Sequence, residues 1–242
     1  MDPDRKSKAV VLLSGGLDSA TVLYWALARG WEPSALALDY GQRHRRELAS
    51  ARRLCRAAGV PLKIAKFSLP WNGGSLLDAK AALPSVRNAR SIGKAIPSTY
   101  VPARNTIFLS FGLSCAEAIG AQAVMIGANA LDYSGYPDCR PDFIRSAERA
   151  FALGTKAGRE GRTIKIVAPL LRLSKAEIVG LGAKLGVPWE LTWSCYRGGT
   201  RPCGRCDSCR LRARGFRAAG AADPLFDRTT KNGGRKCEKE PL

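Results

Sequence analysis

A strand, a glycine turn and a helix follow one another near the start of the chain, and this unit restricts the fold more than any other feature. Residues 8–13 (KAVVLL) are a short, β-branched run typical of a buried strand. Residues 14–19 (SGGLDS) form the turn, and the apolar residues of 19–29 then recur at helical spacing until Gly30. A strand that leads directly into a helix is the first half of a β–α–β unit, so we expect a parallel sheet.

The same alternation continues along the chain. Further strands are predicted at residues 34–39, 61–67, 122–127 and 164–168, and helices at residues 43–58, 105–119, 142–155 and from 174 onward. Ser174, with Glu177 three residues later, is the signature of a capping box at the start of a helix. The sequence therefore predicts an α/β fold, in which helices cover both faces of a doubly wound, mostly parallel five-stranded sheet.

Two segments interrupt this pattern. Residues 68–103 are rich in proline and glycine, and a connection of this length indicates either an active-site lid or a partly disordered loop. Residues 226–242 are mostly polar and are predicted to form a flexible tail. The expected organisation is a sheet domain at residues 1–190, a small helical segment at residues 191–225 with four of the eight cysteines, and the tail.

The charge of the chain favours anionic ligands but does not identify them. The 242 residues include 39 basic and 20 acidic ones, which gives a formal net charge of +19. Nucleotides and nucleic acid are the usual partners of such a chain, although the even spread of basic residues favours a simple compositional bias. No apolar run approaches about 18 residues and the N-terminus is short and polar, so we expect a cytoplasmic protein without a membrane span.

The turn at residues 14–19 has the composition of an anion site. It joins a strand to a helix at the carboxyl edge of the sheet, where open α/β folds bind ligands. Gly15 and Gly16 let the backbone approach an anion, the first helical amides attract it, and Ser14 and Ser19 add hydroxyls. An acidic residue is unexpected in an anion site, and the presence of Asp18 is explained if it binds a metal ion or fixes the loop. The segment lacks the Gly-Lys-Ser/Thr of a Walker loop and the spaced glycines of a dinucleotide fingerprint.

This segment resembles the pyrophosphate loop, Ser-Gly-Gly-x-Asp-Ser, of the N-type ATP pyrophosphatases, whose fold is adenine nucleotide alpha hydrolase-like. Members of that superfamily cleave ATP between the α- and β-phosphates and transfer AMP to an oxygen of the substrate. The resemblance implies that the loop binds ATP through Ser14, Gly15, Gly16, Leu17, Asp18 and Ser19. Leu13, which precedes the loop, and Asp39, at the end of the second strand, are the further residues predicted to bind ATP.

Four cysteines are clustered near the C-terminus, at positions Cys195, Cys203, Cys206 and Cys209. The short spacing of the last three brings their sulfurs to one ion, and the first completes a tetrahedron without an open position. This is the pattern of a structural zinc site with one Zn²⁺ per chain, and an iron–sulfur cluster or redox thiols are the alternatives. Such a site is expected to hold the C-terminal segment near the cleft.

Three further motifs indicate a particular family. Residues 39–44 read DYGQRH, residues 100–105 read YVPARN and residues 132–143 read DYSGYPDCRPDF. Together with the loop and the cysteine spacing, they are similar to the 7-cyano-7-deazaguanine synthase family of queuosine biosynthesis over residues 8–225. The resemblance implies a C–N bond-forming ligase that converts 7-carboxy-7-deazaguanine and ammonia to the nitrile, with release of AMP and pyrophosphate. It also implies adenylated acid and amide intermediates, Mg²⁺ bound with ATP, and a homodimer.

Phosphoryl transfer needs cations and aligned donors around the phosphates, and the candidates for this catalytic role are Asp18, Ser19, Arg104 and Lys175. Aromatic rings stack on a purine-like base, a carboxylate accepts its N–H donors and a guanidinium adds a cation. The predicted substrate-binding residues are therefore Tyr133, Tyr136, Asp138 and Arg140.

The roles of two residues and the choice between two alternative functions remain open. His44, the only histidine, is a candidate general base but more often such a residue has a supporting position. Cys139 is interpreted as a packed thiol. A tRNA-thiolating pyrophosphatase would need a second cysteine near the loop, and a zinc-dependent nucleic-acid-binding module would leave the loop unexplained. Direct nucleic-acid binding is therefore not expected, and ammonia is expected to enter free or from a separate partner.

Overall fold

The five predicted strands all form, and they lie parallel in one sheet. The computed structural model describes residues 6–71, 75–77, 99–130 and 136–226. The strands are β1 (Lys8–Leu12), β2 (Glu32–Asp39), β3 (Leu62–Lys66), β4 (Ala123–Met125) and β5 (Lys165–Val167). Their order across the sheet is β3-β2-β1-β4-β5, and Val10 pairs with Ser34 on one side and Val124 on the other. The predicted doubly wound, parallel five-stranded sheet is thus confirmed.

Helices cover both faces of this sheet, as the sequence predicted. They are α1 (Leu17–Ala28), α2 (Arg46–Ala58), α3 (Arg104–Ile119), α4 (Pro141–Gly154), α5 (Lys156–Arg159), α6 (Lys175–Lys184) and α7 (Asp207–Ala218). Because side chains alternate along a strand, Ala9 and Val11 enter one buried cluster, with α1, α2 and α6, and Val10 enters another, with α3 and α4. Both clusters are apolar, which explains the nearly continuous apolar sequence of β1.

The sheet places a crevice beside the end of β1. The chain runs from β1 outward to β3 and returns to form β4 on the other side of β1, so neighbouring connections separate there. Gly127, just after β4, packs against the start of α1, where an added Cβ would lie 3.0 Å from the Ser19 amide nitrogen. A larger residue would therefore push the end of β4 away from the loop that follows β1.

The C-terminal helices continue this packing. The predicted capping box at the start of α6 is present, since the Ser174 side chain accepts from the Glu177 amide and the Glu177 carboxylate accepts from the Ser174 amide. Phe216 of α7 packs edge-on against Trp189, with ring centroids 5.7 Å apart, and belongs to the same apolar cluster as α1. The segment that follows the cysteines is therefore joined to the core of the sheet.

Several predictions concern residues outside the described ranges. Most of the proline- and glycine-rich segment at 68–103, the tail after residue 226, and Tyr133 lie there. Among the helices of the described ranges, none combines the length and the apolar character that a membrane span requires.

Candidate active site

A cavity of about 220 Å³ opens at the crevice between β1 and β4. Its lining includes the loop after β1 with the first turn of α1, the end of β2, the segment after β4, and residues from the starts of α2, α3 and α6. Residues near the end of the chain, including Trp193, Tyr196 and Arg212, complete its wall. The cavity therefore lies where an open α/β fold binds its ligand.

Gly15 shapes the loop after β1, because its position leaves no room for a side chain. Gly15 has a φ of +90°, and a Cβ added there would lie 2.2 Å from the Glu47 carbonyl oxygen and 2.7 Å from the Ala51 amide nitrogen. The loop thus packs directly on the first turns of α2. This contact turns Gly15 away from the cavity, whereas the other predicted loop residues line it: Leu13, Ser14, Gly16, Leu17, Asp18 and Ser19.

Donors converge on the cavity from this loop. The Ser14 and Ser19 hydroxyl oxygens lie 3.0 Å apart, and the Gly16 amide donates to the Ser14 hydroxyl over 3.3 Å. Helix α1 begins without a side-chain cap, so its first-turn amides keep their capacity to donate to a ligand. The positive end of the helix dipole adds to their attraction for an anion.

The predicted catalytic residues Asp18 and Lys175 form an ion pair in the cavity. The Lys175 ammonium lies 2.8 Å from each carboxylate oxygen of Asp18. Lys175 is the first residue of α6 and is 7% exposed, and α7 packs on its stem so closely that a Cβ at Gly215 would lie 2.4 Å from its Cγ. The packing fixes the lysine stem while its ammonium stays at the cavity wall.

A second cation, Arg104, faces the cavity from the start of α3. It follows Ala103, a non-glycine residue with a φ of +51°, and such strain is concentrated at functional sites. The guanidinium lies 5.9 Å from the centre of the Phe108 ring. Burial opposes the charge of Arg104, but the neighbouring Tyr40 and Tyr136 hydroxyls raise its pKa, so the guanidinium remains protonated.

Glu47 also lines the cavity, although the sequence does not predict it as a site residue. It belongs to the first turn of α2 and lines the cavity close to Arg104. Burial raises the pKa of its carboxyl group to about 7, although Arg104 lowers it, and the Cys195 sulfur adds to the increase. No sequence motif marks this residue, because its position depends on how α2 packs against the predicted phosphate loop, residues 14–19 after β1.

Three of the predicted binding residues do not line the described cavity. Asp39 is on the opposite face of β2 from Leu38 and Tyr40, and its carboxylate lies 3.4 Å from the Arg45 guanidinium. Asp138 is buried and accepts a hydrogen bond of 2.9 Å from the Asn105 amide at the start of α3. Arg140 is exposed and precedes α4. Their roles in binding stay predictions, and the geometry gives Asp39 and Asp138 structural partners.

Tyr136 and Cys139 do line the cavity. The Tyr136 hydroxyl lies 2.8 Å from the Thr99 hydroxyl, which fixes the orientation of the ring. Burial raises the pKa of the Cys139 thiol to about 11, and the Asn105 side-chain amide donates to its sulfur over 3.2 Å. The thiol is therefore protonated at neutral pH, which supports its interpretation as a packed residue.

His44 is half-buried beside the cysteine cluster and does not line the described cavity. A Cβ added at Gly198 would lie 2.4 Å from the imidazole Cγ, so Gly198 permits this contact between the two loops. Burial lowers the pKa of His44. The position agrees with a supporting role more than with that of a general base.

The four clustered cysteines converge as the spacing predicted. The ligand atoms of Cys195, Cys203, Cys206 and Cys209 all lie within 4.8 Å of one another. Sulfurs around a tetrahedral Zn²⁺ lie about 3.8 Å apart, given a Zn–S distance of about 2.3 Å. The donor set therefore fits a metal ion such as zinc.

Trp193 connects the cysteine cluster to the phosphate loop. Its amide donates to the Gly15 carbonyl oxygen over 2.9 Å, and its indole nitrogen donates to the Cys195 carbonyl oxygen over 2.9 Å. Arg212 of α7 fixes the same segment, since its guanidinium donates to the Thr192 hydroxyl over 2.7 Å and forms two bonds of 2.7 and 2.8 Å to Asp223. No sequence motif marks Trp193, and Arg212 does not stand out among the many arginines of the chain.

Comparison with known proteins assigns the chain to a family. A family model described as queuosine biosynthesis protein QueC matches residues 8–220. A 7-cyano-7-deazaguanine synthase of Nostoc sp. is 59% identical over 220 residues, which are 90% of this chain and 96% of that protein. The synthase of Thermoplasma acidophilum is 54% identical and covers 91% of this chain and 92% of its own length.

Solved structures are more distant. NMN synthetase from Francisella tularensis shares 15% identity at a TM-score of 0.47 and covers 98% of this chain and 90% of that one. The assignment therefore depends on the sequence comparisons. Because the family model spans most of the chain, the protein belongs to the queuosine biosynthesis protein QueC family, and the relatives described above are 7-cyano-7-deazaguanine synthases.

Proposed function

We propose that this enzyme converts 7-carboxy-7-deazaguanine and ammonia to 7-cyano-7-deazaguanine and consumes two molecules of ATP for each nitrile. The observation that carries the proposal is the single cavity in which the phosphate loop, Lys175 and Arg104 face one another. A carboxylate is a poor electrophile, and a site that holds ATP beside cations is what its activation requires. The sequence identity to 7-cyano-7-deazaguanine synthases supplies the substrate.

The reaction consists of two adenylations. A carboxylate oxygen attacks the α-phosphorus of ATP, the bond to the β-phosphate breaks, and pyrophosphate leaves. Ammonia then attacks the carbonyl carbon and AMP departs with that oxygen, which leaves the amide. The amide oxygen attacks the α-phosphorus of a second ATP and pyrophosphate leaves again, and loss of AMP and of both N–H protons then gives the nitrile.

The residues have distinct roles in these steps. The amides and hydroxyls of the phosphate loop hold the departing pyrophosphate, with Ser19 as one donor. Lys175 and Arg104 stabilise the negative charge that develops on the phosphates. Asp18 is the carboxylate best placed to hold a Mg²⁺ that arrives with ATP and offsets phosphate charge, which would release Lys175 for the phosphates. Tyr136 offers a ring for the base of the substrate.

The cysteine cluster has a structural role in this proposal. The four sulfurs would occupy the ligand positions of one Zn²⁺, so the ion would stabilise the fold of residues 195–209 and would take no part in the reaction. We also propose a cytoplasmic homodimer, which the family resemblance implies. Light scattering after gel filtration tests the dimer through the molar mass of the particle.

Isotope labelling tests the reaction with its stoichiometry. The acid substrate, labelled with ¹⁸O in both carboxylate positions, is incubated with ATP, Mg²⁺ and ammonium, and the products are analysed by mass spectrometry. Each nitrile should be accompanied by two AMP molecules, and each AMP should carry one ¹⁸O, because both oxygens leave on phosphorus. The corresponding amide should give the nitrile with one AMP and without ammonium.

The tRNA-thiolating alternative receives no support from the cavity. Cys139 is the only cysteine that lines the described cavity, and its thiol is protonated. Sulfur transfer to tRNA without nitrile formation would nevertheless overturn the proposal. RNA binding that falls steeply with salt, without conversion of ATP to AMP, would favour a nucleic-acid-binding module instead.

A further inference from the structure

Glu47 occupies a place in the cavity that no step described above uses. It lies in the first turn of α2, and Gly15 of the phosphate loop packs against its backbone. It lines the cavity, and part of its surface remains accessible. A carboxylate at this position is next to the loop on which the adenylated substrate would form.

The carboxylate of Glu47 differs from the other acids around the site because it has no bonded partner. Asp18 is paired with Lys175, Asp138 accepts from the Asn105 amide and Asp223 is held by Arg212. Within the described ranges, the Glu47 carboxylate makes no hydrogen bond and no ion pair shorter than 4 Å. The charged and titratable groups that face it are Arg104 of α3, Tyr40 after β2 and Cys195.

An unpaired acid in a cavity is costly to keep, so its chemistry indicates a ligand that is absent when the cavity is empty. The groups in the cavity that match anions are the loop amides, Lys175 and Arg104. Of the two described carboxylates that line it, Asp18 is paired with Lys175 and is assigned to Mg²⁺ in the proposed function, which leaves Glu47 for a second, small cation. The proposed reaction has one small cationic reactant, ammonium, and its nitrogen must lose a proton before it can attack.

We propose that Glu47 forms the ammonium site of this enzyme, where its carboxylate binds NH₄⁺ and accepts one proton before the nitrogen attacks the acyl adenylate. This inference rests on the proposed function. The first transfer converts NH₄⁺ and the carboxylate into NH₃ and the carboxylic acid. The nitrogen lone pair then forms the C–N bond, the C–O bond to AMP breaks, and the surplus proton of the new amide and the proton on Glu47 pass to solvent.

The acidity of the group suits this role. A general base works best when its pKa is close to the pH at which the enzyme operates, and burial raises that of Glu47 to about 7. At neutral pH a substantial fraction is therefore ionised and able to attract ammonium. The same group is also basic enough to accept a proton, which an ordinary glutamate is much less able to do.

The variant Glu47→Gln tests the proposal, because it keeps the shape of the side chain and removes its charge. Adenylation is measured without ammonium, as exchange of labelled pyrophosphate into ATP that depends on the acid substrate. This exchange should stay within about threefold of the wild-type rate. The kcat/KM for ammonium should fall by about 10²-fold, the scale of general-base catalysis, and Glu47→Asp should recover part of it.

Hydroxylamine, used as an alternative nucleophile, distinguishes a loss of proton removal from the other possible effects of the Glu47→Gln change. It is largely unprotonated at neutral pH, so it attacks the acyl adenylate without a base and gives a hydroxamate. The Gln variant should form hydroxamate at nearly the wild-type rate while it makes little amide from ammonium. Glu32→Gln, the same change at an exposed position at the start of β2, should match the wild type in all three assays.

Two results would overturn the inference. Unchanged ammonium kinetics in Glu47→Gln would show that the carboxylate does not handle the nucleophile. Equal losses of pyrophosphate exchange, hydroxamate and amide would place Glu47 against ATP or the acid substrate. A failure of the proposed function would look different, since the wild-type enzyme itself would then show no substrate-dependent exchange.

Discussion

The two sides of the cavity use their charged groups differently. On the phosphate-loop side, Lys175 contacts both oxygens of Asp18, yet the Asp18 side chain remains 21% exposed. On the cysteine side, the side chains of Arg212 and Asp223 are only 2% and 7% exposed and bond to each other twice. An accessible pair can exchange its partner for a ligand, whereas a buried pair resists separation strongly. The first arrangement suits binding and release, and the second suits a fixed shape.

Trp193 makes the two sides depend on each other. Its two hydrogen bonds join Gly15 of the loop to Cys195 of the cluster. The cysteine side therefore supports the backbone of the phosphate-loop side. Changes on the cysteine side should lower stability first and ATP binding as a consequence, whereas changes on the loop side should lower turnover first.

Loss of a cysteine ligand should have the largest effect. Cys206→Ser leaves three thiolates, and the metal-binding energy at stake in small zinc sites is about 10–16 kcal/mol. We expect the zinc content to fall from about one per chain toward zero, as measured by plasma mass spectrometry. The segment at residues 195–209 should then become accessible to protease, and the affinity for ATP should fall through the Trp193 contact.

Cys115→Ser is the matched control for this change, because Cys115 lies on α3, away from the cluster. It should keep both the metal and the affinity for ATP. If Cys206→Ser lost its metal but bound ATP normally, the dependence of the loop on the cysteine side would be wrong.

Lys175→Met should have the next largest effect, and it should act on turnover. The change removes a cation from the cavity and leaves Asp18 without its partner. A fall in kcat of about 10²–10³ is expected, which corresponds to about 3–4 kcal/mol of lost transition-state stabilisation. Steady-state kinetics with varied ATP measures it.

Lys184→Met, at the exposed end of the same helix, should leave the kinetics unchanged. Metal content should stay at the wild-type level in both lysine variants. A Lys175→Met enzyme with normal turnover would show that the ion pair with Asp18 is structural only.

Arg212→Lys should lower stability by a smaller amount. Lysine keeps the charge, but it cannot reproduce the two parallel bonds to Asp223 together with the bond to Thr192. The free energy of unfolding in urea should fall by about 2–3 kcal/mol, somewhat less than when a buried pair loses one charge. Arg210→Lys, exposed on the same helix, should change it by less than about 0.5 kcal/mol.

The sequence predicted features that follow from local rules. The strands, the capping box of Ser174 and the convergence of the four cysteines all depend on spacing, and all are confirmed. The role of Asp39 in ATP binding stays a prediction. It rests on the position of the residue at the end of a strand, and alternation along β2 places its side chain on the opposite face from Leu38 and Tyr40, which line the cavity.

Residues that depend on tertiary packing carried no signal. Arg212 is one of many arginines in a basic chain, and only its contacts with Asp223 and Thr192 distinguish it. Glu47 lies in an ordinary charged helix, and it becomes unusual only because Gly15 brings the phosphate loop against the first turn of that helix. The same packing reduces the access of water to its carboxylate without excluding it.

The pH dependence of stability gives the smallest effect and the most direct measure of that burial. Glu47 binds its proton more tightly in the folded state, where its pKa is about 7, than in the unfolded chain, where it is about 4.5. Its contribution to stability is therefore lost as the pH rises from about 4.5 to 7, and the cost is complete above that range. Glu47→Gln cannot ionise, so at pH 8 it should be more stable than the wild type. The full shift would correspond to about 3 kcal/mol, and the partial exposure of the residue reduces the expected gain to about 1–2 kcal/mol.

Urea unfolding at pH 8 and at pH 5 measures this gain, which should shrink strongly at the lower pH because the folded wild type is then protonated. Glu32→Gln should show no such dependence, since Glu32 is exposed. An equal gain at both values would mean that repacking, and not ionisation, is responsible. A gain confined to the higher pH would show that the loop side keeps an acid that weakens the fold, which is the opposite of the fully bonded charges on the cysteine side.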